Sequence, residues 1–170
     1  MNTRVTLALW IVLAIAIAVT QERRDSEGST LATPSASSGI TRTVLVGTTP
    51  AAAPDQSLQL ARIVIEPGTT LPVHEHPGTQ LASIVSGDLT YNVVLGDVRV
   101  ERAAVDSTPG PVDVLHAGEQ TVLHPGDAVV ETEGVQHYGA NLGSVDVVIL
   151  AASLLEAGMP ASIPVATPAP

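Results

Sequence analysis

His74 and His76 stand at positions i and i+2. In an extended strand successive side chains leave on opposite faces, so i and i+2 share one face. The two imidazoles can therefore aim at one point while Glu75 turns away. Pro77-Gly78 breaks the strand, and a turn there can bring Gln80 back toward that point as it opens the apolar run Leu81 to Val85. A fourth group must come from elsewhere in the chain. The stretch Gly134 to Asn141 offers His137. Neutral imidazole is the commonest metal ligand among side chains, so convergent histidines point first to a bound ion.

These residues need rigid, alternating elements to position them, and the surrounding sequence supplies β-structure. From Ile40 onward, short runs of Val, Ile and Leu alternate with Gly, Pro, Asp and Asn at the spacing of a sandwich or barrel. The pattern predicts strands near Thr41–Val46, Ser57–Ile65, Leu71–His74, Leu81–Ser86, Leu89–Leu95 and Val98–Ala103. Further strands are expected near Val112–His116, Gln120–Leu123, Ala128–Glu131, His137–Asn141 and Val145–Ala152. The barrel has no convincing helical period, although Leu154 to Gly158 could form a single helical turn. The class is all-β.

The two histidine stretches resemble the paired motifs of the cupin superfamily. In the first, G-x5-H-x-H-x3-E-x6-G, Gly68, His74, His76 and Gly87 fall at the right spacings, with Gln80 in place of Glu. In the second, G-x5-P-x-G-x2-H-x3-N, Gly126, Gly134, His137 and Asn141 fall in place, with Thr132 where Pro would stand. The resemblance spans residues 40–155. It implies a single double-stranded β-barrel, or jelly roll, that holds a divalent transition metal through His74, His76, His137 and the residue at position 80. Three imidazole nitrogens and an oxygen suit Fe, Mn, Ni, Cu or Zn.

Gln80 is the informative departure. A Gln amide offers only a neutral carbonyl oxygen, so a divalent ion would keep its full charge inside a poorly solvated barrel. An anionic substrate would then be favoured as the compensating ligand. Alternatively, Gln80 does not ligate and acts as a hydrogen-bond partner beside a three-histidine site. Tyr138 should face away from the metal, and Tyr91 is expected to pack in or near the cavity rather than do chemistry. His116 and His124 lie outside both motifs, and His124 is expected to be exposed at a turn. Glu131 and Glu133 are expected at the surface, and Asn141 to cap a turn.

The composition limits partners. The formal charge is -10, and there is no basic stripe, which excludes nucleic acid as a partner. There is no Cys, hence no disulfide, thiolate site or cysteine nucleophile. There is no Phe, which disfavours ligands held between aromatic rings.

Residues 1–20 carry Arg4 followed by the apolar run Val5 to Val19, read as a signal peptide or an uncleaved membrane anchor, helical in either case. Residues 21–39 read as a flexible linker and residues 156–170 as a Pro/Ala-rich disordered tail. The domain is therefore expected outside the cytoplasm, secreted or membrane-anchored. By resemblance, oxygen-dependent cleavage of a small molecule leads, and pairing of two copies through outer strands is expected. A non-catalytic module that binds a metal or small ligand is the alternative. No dedicated general base is evident in the sequence.

Overall fold

The computed structural model describes residues 39–166. The N-terminal segment expected to be a signal or anchor lies outside these residues, as does nearly all of the linker. The described chain is twelve strands, paired antiparallel throughout. They are β1 (Ile40–Thr48), β2 (Gln56–Ile65), β3 (His74–Glu75), β4 (Gly78–Ser86), β5 (Leu89–Leu95) and β6 (Asp97–Glu101). The rest are β7 (Val112–His116), β8 (Gln120–Leu123), β9 (Ala128–Glu131), β10 (Gln136–Ala140), β11 (Val147–Glu156) and β12 (Ile163–Pro164). Seven form one sheet in the order β1-β2-β11-β4-β9-β6-β7, and five form a second in the order β12-β3-β10-β5-β8.

Period-2 alternation decides what lies between the sheets. On β11 the buried residues are Val147, Ile149, Ala151, Ser153 and Leu155, and on β4 they are Gln80, Ala82 and Ile84. Leu89, Tyr91 and Val93 on β5 and Val98 and Val100 on β6 repeat the pattern. These rows meet in one core with Leu115, Leu123, Val129 and Val135. Fully burying one such aliphatic side chain contributes about 1.5–3 kcal/mol. The large sheet's inward face is apolar around this core and turns polar where Gln59, Ser153, Gln80 and Glu131 line up across four neighbouring strands.

The turn between β3 and β4 is as tight as its sequence suggested. Gly78 has φ 139°, and a Cβ there would lie 2.3 Å from the Leu154 carbonyl oxygen. Only glycine lets β4 start this close to β11, which sets where Gln80 falls.

The C-terminal region differs from expectation. Leu154 does not begin a helical turn: β11 runs on to Glu156, because Leu155 still points into the core and its backbone pairs with Ser57 and Gly78. Nor are the residues just beyond it a disordered tail. β12 pairs with β3, and the Val165 amide donates to the Val73 carbonyl. The unpaired edge of β3 gives this short segment backbone partners despite its proline content.

Candidate metal centre

The three motif histidines converge from the small sheet. His74 on β3 sits directly opposite His137 on β10, and His76 follows in the link from β3 to β4. All three are buried, at 7%, 4% and 3% exposure for His74, His76 and His137. Each offers a ring nitrogen, and these atoms lie within 4.8 Å of one another. The His74 and His137 ring centroids are 4.4 Å apart.

Backbone carbonyls fix two of the rings. His74 Nδ1 donates to the Pro72 carbonyl at 2.9 Å, and His76 Nδ1 donates to the Ala161 carbonyl at 2.6 Å. Carbonyls only accept, so both Nδ1 atoms carry the proton and Nε2 is the nitrogen left to bind. The second contact makes the segment before β12 part of the site. Burial, reinforced by the nearby His137, pushes His74 down to about 4. It is therefore neutral, as a ligand must be, at ordinary pH.

Facing the histidines, the large sheet presents a polar row across three neighbouring strands. Ser153 on β11 pairs in register with Gln80 on β4, which pairs with Glu131 on β9. Ser153 Oγ donates to Gln80 Oε1 at 2.8 Å, and Gln80 Nε2 donates to Glu131 Oε2 at 2.8 Å. Gln80 Nε2 also lies 3.0 Å from His76 Nε2. The chain thus brings Gln80 to the cluster, but with its amino group toward the histidines and its carbonyl oxygen engaged by Ser153.

Glu131 is the residue the sequence reading misplaced. It is not a surface charge but is 3% exposed. Its Oε2 lies 3.2 Å from His76 Nε2 and its Oε1 3.1 Å from His137 Nε2. Tyr91 Oη donates to Oε1 at 2.9 Å, and the Tyr91 ring stacks on His137 with centroids 5.4 Å apart. Burial alone would raise the Glu131 carboxyl, but His137 and His76 outweigh it and hold the group well below its ordinary value. Burial likewise opposes protonation of His76, yet Glu131 raises it overall. Burial and then the Glu131 charge push the Tyr91 hydroxyl well above its usual value.

The other residues follow expectation. Tyr138 is half-buried, turned from the buried His137 beside it. His116 and His124 are exposed and pair with Asp97 and Asp88. Glu133 is exposed. Asn141 closes the turn after β10, its side-chain oxygen accepting from the Gly143 amide and its nitrogen donating to the Ile65 and Val145 carbonyls. An open hollow lined by Arg102, Thr121, Val122, His124 and Asp127 shares no residue with the histidine cluster.

These residues fit a divalent ion. Three imidazoles and an adjacent carboxylate form a donor set of first-row type. Glu131 lies against His76 Nε2 and His137 Nε2, so the carboxylate shares the space onto which the ring nitrogens converge.

Two stacked antiparallel sheets with three histidines converging between them form a jelly-roll β-barrel, the fold that the paired motifs implied. No protein-family model matches the chain, and no curated protein does. Among solved structures, KdgF from Halomonas sp. is 20% identical, with 68% of this chain and 80% of that one covered and a TM-score of 0.45. A cupin 2 domain-containing protein from Halorhodospira halophila is 16% identical, with 75% and 71% covered and a TM-score of 0.49. A variant of salicylate 1,2-dioxygenase from Pseudoaminobacter salicylatoxidans, solved with gentisate, is 15% identical, with 68% of this chain but 25% of that one covered and a TM-score of 0.45. Likenesses this distant concern the fold and leave the reaction open.

Proposed function

We propose that the protein holds a divalent transition metal (Fe, Mn, Ni, Cu or Zn) through His74, His76 and His137 and acts there on a small oxygen-bearing molecule in a dioxygenase-type reaction. The observation that carries this reading is the convergence of three buried imidazoles with a buried carboxylate beside them. When bound, such an ion supplies Lewis acidity and, if redox-active, one-electron chemistry. The chain's own residues do the rest. Pro72 and Ala161 orient His74 and His76, while Gln80 and Tyr91 orient Glu131. Aliphatic walls from Ala82, Ile84 and Val93 keep water from the interior. The apolar run after Arg4 supports export, with the barrel working outside the cytoplasm.

A second reading, a non-catalytic metal or small-ligand binder, draws on the burial of all three histidines and on the segment at Ala161 that lies against His76. Oxygen uptake by the metal-loaded full chain, measured against small enols and carboxylic acids, separates the two. Uptake that disappears in His137→Ala supports the enzyme. Saturable binding heat without oxygen uptake, for any loaded metal, supports the binder.

A further inference from the structure

We infer that Glu131, rather than Gln80, supplies the anionic ligand: the carboxylate that the first motif would carry at position 80 stands one strand over on β9, and Gln80 is the clamp that holds it. The inference rests on the metal reading above and deepens it.

Register makes the exchange geometrically small. Gln80 and Glu131 are directly opposed on β4 and β9. Opposed residues share a face, with Cβ atoms roughly 4.5–5.5 Å apart, so either side chain reaches the same inner space.

The atoms in contact then distinguish a ligand from an outer partner. A carboxylate that merely orients a ligating histidine bonds the ring nitrogen facing away from the metal. For His76 that nitrogen is Nδ1, already committed to the Ala161 carbonyl. Glu131 Oε2 instead lies 3.2 Å from Nε2, the atom that would face the metal. At 4.8 Å spacing only the three histidines form a mutual set, so ligation asks for an inward shift of the Glu131 side chain.

Gln80 is disposed for the other role. Its carbonyl oxygen, the atom an amide would offer a metal, accepts from Ser153, and its amino group donates to Glu131. Turning the amide over would set Oε1 against the carboxylate, acceptor against acceptor. Glu131 itself has no Lys or Arg partner among the described residues; its ion-pair contacts are His76 and His137 alone. A buried carboxylate needs a compensating cation. A divalent ion held by the same histidines provides one without forcing those imidazoles to stay protonated.

Co(II) titration of the full chain, followed by its visible absorption, tests this. Glu131→Gln should weaken Co(II) binding by about 100-fold or more, beyond the range typical of outer partners, and shift the absorption bands. Gln80→Ala should cost about 10-fold with the bands retained. The exchange Gln80→Glu with Glu131→Gln, which swaps amide and carboxylate across the same strand pair, should return affinity to within about 10-fold of the parent. Affinity and bands unchanged in Glu131→Gln, or a larger loss in Gln80→Ala than in Glu131→Gln, would overturn the inference. Where Glu131→Gln does not fold, a crystal structure of the unsubstituted zinc-loaded protein decides. A Glu131 oxygen at about 2.0–2.2 Å from the ion supports it, and Gln80 Oε1 at that distance with Glu131 outside overturns it. No Co(II) uptake by the parent overturns the metal reading and this inference together, whereas uptake indifferent to Glu131 overturns the inference alone.

Discussion

Asp127 and Glu131 bracket β9, one just before its first residue and one at its end, and both are nearly fully buried at 4% and 3% exposure. Their surroundings differ in kind. Asp127 accepts from the Ala103 and His124 amides at 2.8 and 3.0 Å and from Arg102 Nη1 at 3.0 Å. Arg102 is itself anchored by Asp113, Thr121 and the Val122 carbonyl. Glu131 meets two imidazoles, an amide and a phenol. A guanidinium never gives up its charge, so the Asp127 latch is permanent. Imidazoles can, so the counter-charge at Glu131 is exchangeable. One strand thus carries a carboxylate that holds the barrel wall together and another that is available to an ion.

Substitutions should pull these two roles apart. The largest effect is expected at the exchangeable end: His137→Ala should weaken divalent metal binding more than 100-fold, while Asp127→Ala leaves it within about 3-fold, both read by metal titration. Equal losses in the two would erase the distinction.

At the permanent end, Asp127→Ala strips a partly buried ion pair and two backbone amides of their acceptor. It should cost about 3 kcal/mol in denaturant unfolding with the slope unchanged. The same residue sets an acid limb. Burial opposes ionisation of Asp127, but the two amides and Arg102 hold its carboxyl below its ordinary value of 3.8. A depressed carboxylate contributes stability that is complete above the unfolded value and lost as pH falls through the folded one. Unfolding midpoints should therefore fall below about pH 4 in the parent and flatten there in Asp127→Asn.

Smaller still, Ser153→Ala leaves Gln80 Oε1 without its donor inside the barrel. It should cost about 1–2 kcal/mol by thermal denaturation and loosen the clamp on Glu131. His124→Ala, which removes only an exposed pair with Asp88, should not move the midpoint measurably; a clear drop would mean that the turn before β9 depends on more than the Asp127 latch.

Much of this was legible in the sequence, and the exceptions have physical causes. The His-x-His spacing and the glycine-bounded motifs placed all three histidines, and alternation with turn residues placed the first eleven strands to within a few residues. Glu131 was missed because Val129 and Val130 are both apolar, so either phase of β9 reads as inward, and a glutamate at its end defaults to solvent. One signal stood in the sequence: a Gln where the motif carries Glu leaves a charge to be found elsewhere, and Asp127, Val129 and Glu131 share one period-2 face. The strand at Ile163–Pro164 could not be read at all, since its partner is an edge whose need for hydrogen bonds is set by the assembled sheet.

The most direct test of the central claim is elemental analysis of the purified full chain beside His74→Ala and His137→Ala. The account predicts close to one first-row transition metal ion per chain in the parent and loss of it in both variants. A folded parent that takes up no ion, even when reconstituted with iron, manganese, nickel, copper and zinc in turn, would contradict it.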